Sequence, residues 1–89
     1  MGTIGVKYKI LPESIETDLK EIEEEIKKLV EEFNGTNKEY SQEPIAFGLK
    51  ALIAFFYCDE EQELEELENK IQNLEGISSM QIIDMRKVG

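Results

Sequence analysis

The chain has no histidine and no tryptophan, one cysteine, two prolines, and half as many basic as acidic residues. Each shortage excludes something. Without histidine there is no imidazole base and no imidazole metal ligand, so hydrolytic chemistry would fall to lysine, tyrosine or carboxylates alone. A single cysteine, Cys58, cannot form an intrachain disulfide or a thiolate cluster. Ending an apolar run, it reads as a small buried hydrophobe. No apolar stretch approaches the roughly 20 residues that span a bilayer. The opening MGTIGVKYKI lacks the basic-then-apolar order of a signal peptide. The default expectation is therefore a cytoplasmic chain with no membrane partner. The net charge of −10 opposes nonspecific nucleic-acid binding, since phosphate contact needs a basic field.

What is present describes one globular domain over residues 1–89. Residues 3–11, TIGVKYKIL, alternate, with Ile4, Val6, Tyr8 and Ile10 on one face. That period of two predicts a half-buried strand, closed by Pro12. Ser14 offers an N-cap for a helix of about five turns whose stripe is Ile15, Leu19, Ile22, Ile26, Leu29, Val30 and Phe33. Asn34-Gly35 ends it, with glycine expected in the left-handed conformation. Residues 36–45 predict an irregular edge strand. Gly48 marks a tight turn, and Leu49 to Cys58 form the most β-prone run. Asp59 with Gln62 predicts a capping box for a second helix bearing Leu64, Leu67, Ile71 and Leu74, stopped by Gly76. The last segment predicts a strand through about Arg86. The order strand, helix, strand, strand, helix, strand is that of an α+β ferredoxin-like split βαβ sandwich: a four-stranded antiparallel sheet with two helices on one face. The other face is expected to be open to solvent or a partner.

Charge follows this layout. Residues 13–33 hold nine acids and three bases, and residues 59–75 eight acids and one base. The two helical segments therefore carry −13, while the rest of the chain, with three acids and six bases, is mildly basic. Runs such as EIEEE are the solvated faces of helices rather than metal or catalytic sites. If Leu52, Ala54, Phe56 and Cys58 face the helices, then Ala51, Ile53, Phe55 and Tyr57 face away. Aromatics there raise a second reading, an RNA-binding module, and a ligand-sensing regulatory domain of the same fold is a third.

The segments PIAFGLKAL at 44–52, ETDL at 16–19 and the closing MRKV at 85–88 resemble the elongation factor 1-beta family of the archaeal type, across essentially the whole chain. The resemblance implies a guanine-nucleotide exchange factor that promotes GDP release from elongation factor 1-alpha, with no cofactor and no bond-making chemistry; a monomer is the expectation, though the sequence itself does not fix the oligomeric state. It also implies site residues. Phe47, with Ile45, Gly48 and Lys50, would contact the GTPase. Lys87, with Arg86, would reach its Mg²⁺ and phosphate region. The residues alone leave Phe47 two places, under the sheet or free at a turn tip. The chain departs from eukaryotic relatives in having one lysine, Lys50, after the glycine, and in continuing to Gly89.

Overall fold

A computed structural model describes residues 2–88; Met1 and the extra terminal residue Gly89 lie outside the described residues. The elements are β1 (Thr3–Pro12), α1 (Leu19–Glu32), β2 (Thr36–Pro44), β3 (Lys50–Asp59), α2 (Glu65–Gln72) and β4 (Ile77–Lys87). The strands form one antiparallel sheet in the order β2-β3-β1-β4. This is the expected ferredoxin-like sandwich, with β1 and β3 central and β2 and β4 at the edges.

The alternation in β1 places Val6, Tyr8 and Ile10 in the core, opposite Phe56, Ala54 and Leu52 of β3. Leu19, Ile22, Ile26 and Val30 of α1 and Leu67 and Ile71 of α2 close over them. Full burial of each such side chain contributes about 1.5–3 kcal/mol. Cys58 is buried here, and loss of hydration pushes its thiol pKa up, which keeps it protonated and inert.

Both helix starts differ from expectation. Asp18, not Ser14, caps α1: its carboxylate accepts from the Lys20 and Glu21 amides at 3.0 and 3.2 Å. The chain needs residues 13–18 to turn back over the sheet, because β1 stays paired through Pro12 and Glu13 donates to Gly76. The helix is 14 residues, four turns rather than five. In α2 the expected capping box is absent. Asp59 belongs to β3 and accepts from the Glu61 amide, a local turn contact. Gln62 donates its side-chain amide to the Phe33 carbonyl at 2.8 Å, so it satisfies the C-terminus of α1 instead. The second helix is thereby shortened to 8 residues.

The C-terminus of α1 closes as a Schellman motif, Gly35 donating to Val30 and Asn34 to Glu31. The positive φ falls on Asn34, at 66°, not on the glycine. Gly35 serves close approach: a Cβ there would stand 2.8 Å from a Val30 methyl and 3.1 Å from the Tyr57 carbonyl.

The outer sheet face is less open than its alternation implies. Ala51 and Ile53 are buried, and Phe55 and Tyr57 are half-buried. Lys7 and Lys38 lay their ammonium groups over the Phe55 and Tyr57 rings, 5.4 and 4.7 Å from the centroids. Their apolar stems suit that surface while the charge stays in water. The ring faces on which a base would stack are therefore already occupied by cations. No helix among the described residues is long and apolar enough to cross a membrane.

Candidate functional site

The turn between β2 and β3 is built on a conformational conflict. Leu49 donates to the Ala46 carbonyl at 2.8 Å, and Ile45 to the Leu49 carbonyl at 2.9 Å. Two residues, Phe47 and Gly48, lie between, with φ of 53° and 81°. Both central residues at positive φ is the type I′ pattern, whose twist matches that of the flanking strands. Glycine takes that region freely. Phenylalanine does not, and a bulky residue held there costs on the order of 1–3 kcal/mol. The sheet imposes the turn, and the side chain gains nothing in return: Phe47 is 96% exposed. Of its two possible places, the free tip is the one it occupies. Gly48 is set by the same geometry.

Neighbours complete this end of the molecule. Ile45 is exposed beside the turn, and Lys50 is exposed opposite Pro44 at the start of β3. Ile15 joins them. The sequence pattern assigns it to the stripe of α1, yet it sits in the loop before the helix, 66% exposed. Its Cγ2 lies 3.7 Å from where a Gly48 Cβ would stand. Its spacing of four from Leu19 imitates a helical repeat, and only the later cap at Asp18 distinguishes the two. Two residues before Thr17 in a polar SIET loop, an isoleucine with no core to face was the available signal.

The other predicted residues are elsewhere. Lys87 is the last residue of β4 and pairs with Ile4, which pairs with Cys58 at the far end of β3. From Lys50 to Cys58 is about 26 Å of strand at 3.3 Å per residue, in a molecule measuring 42 × 20 × 17 Å. Phe47 and Lys87 thus occupy opposite ends of the sheet and cannot enter one pocket together. Arg86 and Lys87 also separate, because neighbours in a strand point to opposite faces. Arg86 lies opposite Gly5 on the outer face, its Nε 3.1 Å from an Asp84 carboxylate oxygen. Lys87 lies on the helix side, 65% exposed, with Nζ 3.4 Å from a Glu60 carboxylate oxygen. The Val88 amide donates to Thr3 at 2.8 Å and holds this end against β1.

A profile of the family described as EF-1 guanine nucleotide exchange domain matches residues 5–88. The chain belongs to this family. Curated relatives agree over full length. Elongation factor 1-beta of Methanosarcina barkeri is 38% identical over 89 residues, covering 99% of this chain and 100% of that one. Elongation factor 1-beta of Staphylothermus marinus is 41% identical over 90 residues, covering 99% of each. The chain is accordingly a guanine-nucleotide exchange domain of translation elongation. Among solved structures, ribosomal protein S6 of Thermotoga maritima superposes with a TM-score of 0.68 at 21% identity, covering 99% of this chain and 89% of that one. The C-terminal domain of the MgtC protein of Mycobacterium tuberculosis gives 0.73 at 12%, covering 98% and 89%. At such identities these two show the fold alone.

Proposed function

We propose that this chain, as one cytoplasmic domain of 89 residues, promotes release of GDP from elongation factor 1-alpha and makes or breaks no covalent bond itself. The observation that carries the partner contact is Phe47: a bulky aromatic kept at positive φ and 96% exposed has no structural reason to be there. Docked in a pocket of the GTPase it would supply affinity of the hot-spot kind. Ile45, Gly48 and Lys50 frame it, with Ile15 alongside.

Lys87 is the effector. GTPases hold GDP through Mg²⁺ and a phosphate-cradling loop. An ammonium brought beside the metal repels it and competes for the same oxygen ligands. Arg86, turned to the other face and paired with Asp84, supports the basic character of that end rather than entering the site. Exchange follows from linkage: a factor that binds the nucleotide-free GTPase more tightly weakens nucleotide binding by the same ratio. The separation of Phe47 from Lys87 suits a rod that grips the GTPase at one end and disturbs the nucleotide with the other.

The test is the rate of labelled GDP release from the cognate elongation factor 1-alpha. The wild-type chain accelerates it, and Lys87→Ala loses at least ten-fold of the maximal rate with circular dichroism unchanged. Acceleration retained in the variant discards Lys87 as the effector. No acceleration by the wild type overturns the reading.

A further inference from the structure

Residues 13–18 border two hollows of opposite character. The walls of one carry Glu13, Glu16, Glu21, Glu25 and Glu75. The other, a groove of about 370 Å³ that reaches to the β2–β3 turn, carries Lys20 and Lys50 together with Ile15, Gln42 and Gly48. Asp18 borders both, but its carboxylate is engaged by the amides of Lys20 and Glu21. In a chain of net charge −10, a groove with two ammonium groups is an exception.

These two lysines are also unpaired. Lys27 and Lys70 each pair with the glutamate four residues before them, at 2.9 and 3.6 Å. Lys20 has Glu16 at that position, but Glu16 precedes the Asp18 cap and is off the helical spacing. Among the described residues, no ion pair includes Lys20 or Lys50.

Ile15 stands on the wall of the same groove, held out by a hydrogen-bonded loop. The Thr17 amide donates to the Ser14 carbonyl at 3.2 Å, the Ser14 amide to Thr17 Oγ1 at 3.3 Å, and the Glu16 amide to Ser14 Oγ at 3.2 Å. The Glu13 amide ties the loop to the Gly76 carbonyl at 2.9 Å. A side chain fixed in this way loses little freedom when a partner covers it. With Ile45 and Phe47 it makes up the exposed large apolar side chains of this end.

We infer that this groove receives a carboxylate-bearing segment of elongation factor 1-alpha, with Ile15 as a second apolar anchor beside Phe47 and Lys20 and Lys50 as the cations that select the carboxylate; this rests on the exchange reading. Charge complementarity and continuity with Phe47 choose the occupant. Ile15, Lys20, Gln42, Gly48 and Lys50 are all exposed, so the groove is open and suits a side chain of a docked protein rather than an enclosed small ligand. A single carboxylate can sit between two ammonium groups. A nucleic-acid strand carries a phosphate at every residue and would run on into Glu13, Glu16 and Glu21 across the loop, where it is repelled.

The experiment measures GDP release against concentration of the 89-residue chain, giving a half-saturating concentration and a maximal rate. Ile15→Ser should raise the half-saturating concentration about five-fold and leave the maximal rate unchanged, as the loss of an apolar anchor does. Lys20→Glu should raise it by a similar factor of about five, and the difference from wild type should shrink in high salt. An acid in the first turn of a helix is favourable, so this variant keeps its fold, which circular dichroism checks. Lys28→Glu makes the same charge change at an exposed position of α1 outside the groove and should have no effect. An unchanged half-saturating concentration in Ile15→Ser or Lys20→Glu, or an equal rise in Lys28→Glu, overturns the inference, while acceleration by the wild type preserves the exchange reading. Anisotropy of a labelled oligouridylate is a further arm: binding by the wild type that Lys20→Glu abolishes would make the groove a nucleic-acid site and overturn the inference. If the wild type does not accelerate release, the exchange reading falls. Gel filtration with nucleotide-free elongation factor 1-alpha then decides the groove: binding lost in both groove variants and kept in Lys28→Glu supports it, and any other pattern overturns it.

Discussion

The turn at Phe47 and the strand end at Lys87 belong to one sheet, and the chain holds them in opposite ways. At the turn, a two-residue connection forces an aromatic into a backbone region it disfavours and leaves its ring in water. The strand end has no such strain. Lys87 stays in the ladder, its neighbour Val88 is tied to Thr3, and its ammonium rests 3.4 Å from Glu60. One end sets an exposed aromatic ring on a tight turn, suited to gripping. The other is a flexible cation on a fixed base, suited to reaching. A partner that must be held and disturbed at once needs both, and the sheet between them sets the distance.

The bluntest way to break this comparison is to remove the sheet that joins the ends. Burial raises the pKa of Tyr8 well above the ordinary tyrosine value near 10, and the Glu68 carboxylate that accepts its hydrogen bond at 3.3 Å adds to the shift. Burial does the same for Tyr40, with Glu23 and Glu31 contributing. A group whose folded pKa is raised stabilises the fold fully below its unfolded pKa and loses that contribution as pH rises through the folded value. Melting temperature should therefore hold level up to about pH 9 and fall steeply above about pH 10. A flat profile to pH 11 would contradict the burial of these rings.

Next in size is the gripping end alone. Phe47→Ala should raise the half-saturating concentration for GDP release about ten-fold, the loss expected of one hot-spot side chain. Its melting temperature should not drop, since the ring touches no core. A sharp drop with binding intact per folded molecule would return Phe47 to a structural role.

A smaller effect sharpens the cause. Phe47→Gly removes the side chain that disfavours positive φ, and should leave stability unchanged or raise it by about 0.5–1 kcal/mol despite the greater freedom of the unfolded chain. Urea denaturation measures this, and a loss above 1 kcal/mol would mean that the turn is not strained.

The smallest effect belongs to the reaching end. Exposed ion pairs contribute about 0–1 kcal/mol. Glu60→Gln should therefore change the maximal exchange rate by no more than about five-fold, and the change should vanish in a Lys87→Ala background. A larger effect that survives in that background would show Glu60 acting on the GTPase directly.

The sandwich was legible because its main elements announce themselves: a period of two in β1, an unbroken β-prone apolar run in β3, and a period of 3.6 in the helices. The helix starts were less so. Ser14, Asp18 and Asp59 are all good caps in isolation, and which of them is used depends on how long the preceding strand stays paired. Ile15 shows the cost: a spacing of four fits a helix, but β1 runs too far to let that helix begin. The candidate residues Phe47 and Lys87 carry no pattern of their own. They emerged from resemblance to a family, and their neighbourhood came only from the fold.

By itself, the order of apolar residues determined the four strands, the two helices and the acidic outer layer, since hydrophobic periodicity and charge placement are local properties. Tertiary structure decided the rest. It placed Phe47 in the open at positive φ, because hairpin twist overrides a residue's own preference. It turned Gln62 from a cap of α2 into a partner of α1, because an unpaired carbonyl at Phe33 needed a donor. It parted Arg86 from Lys87 and set Lys87 a sheet's length from Phe47, because strand register, unlike strand existence, is settled only when the strands meet.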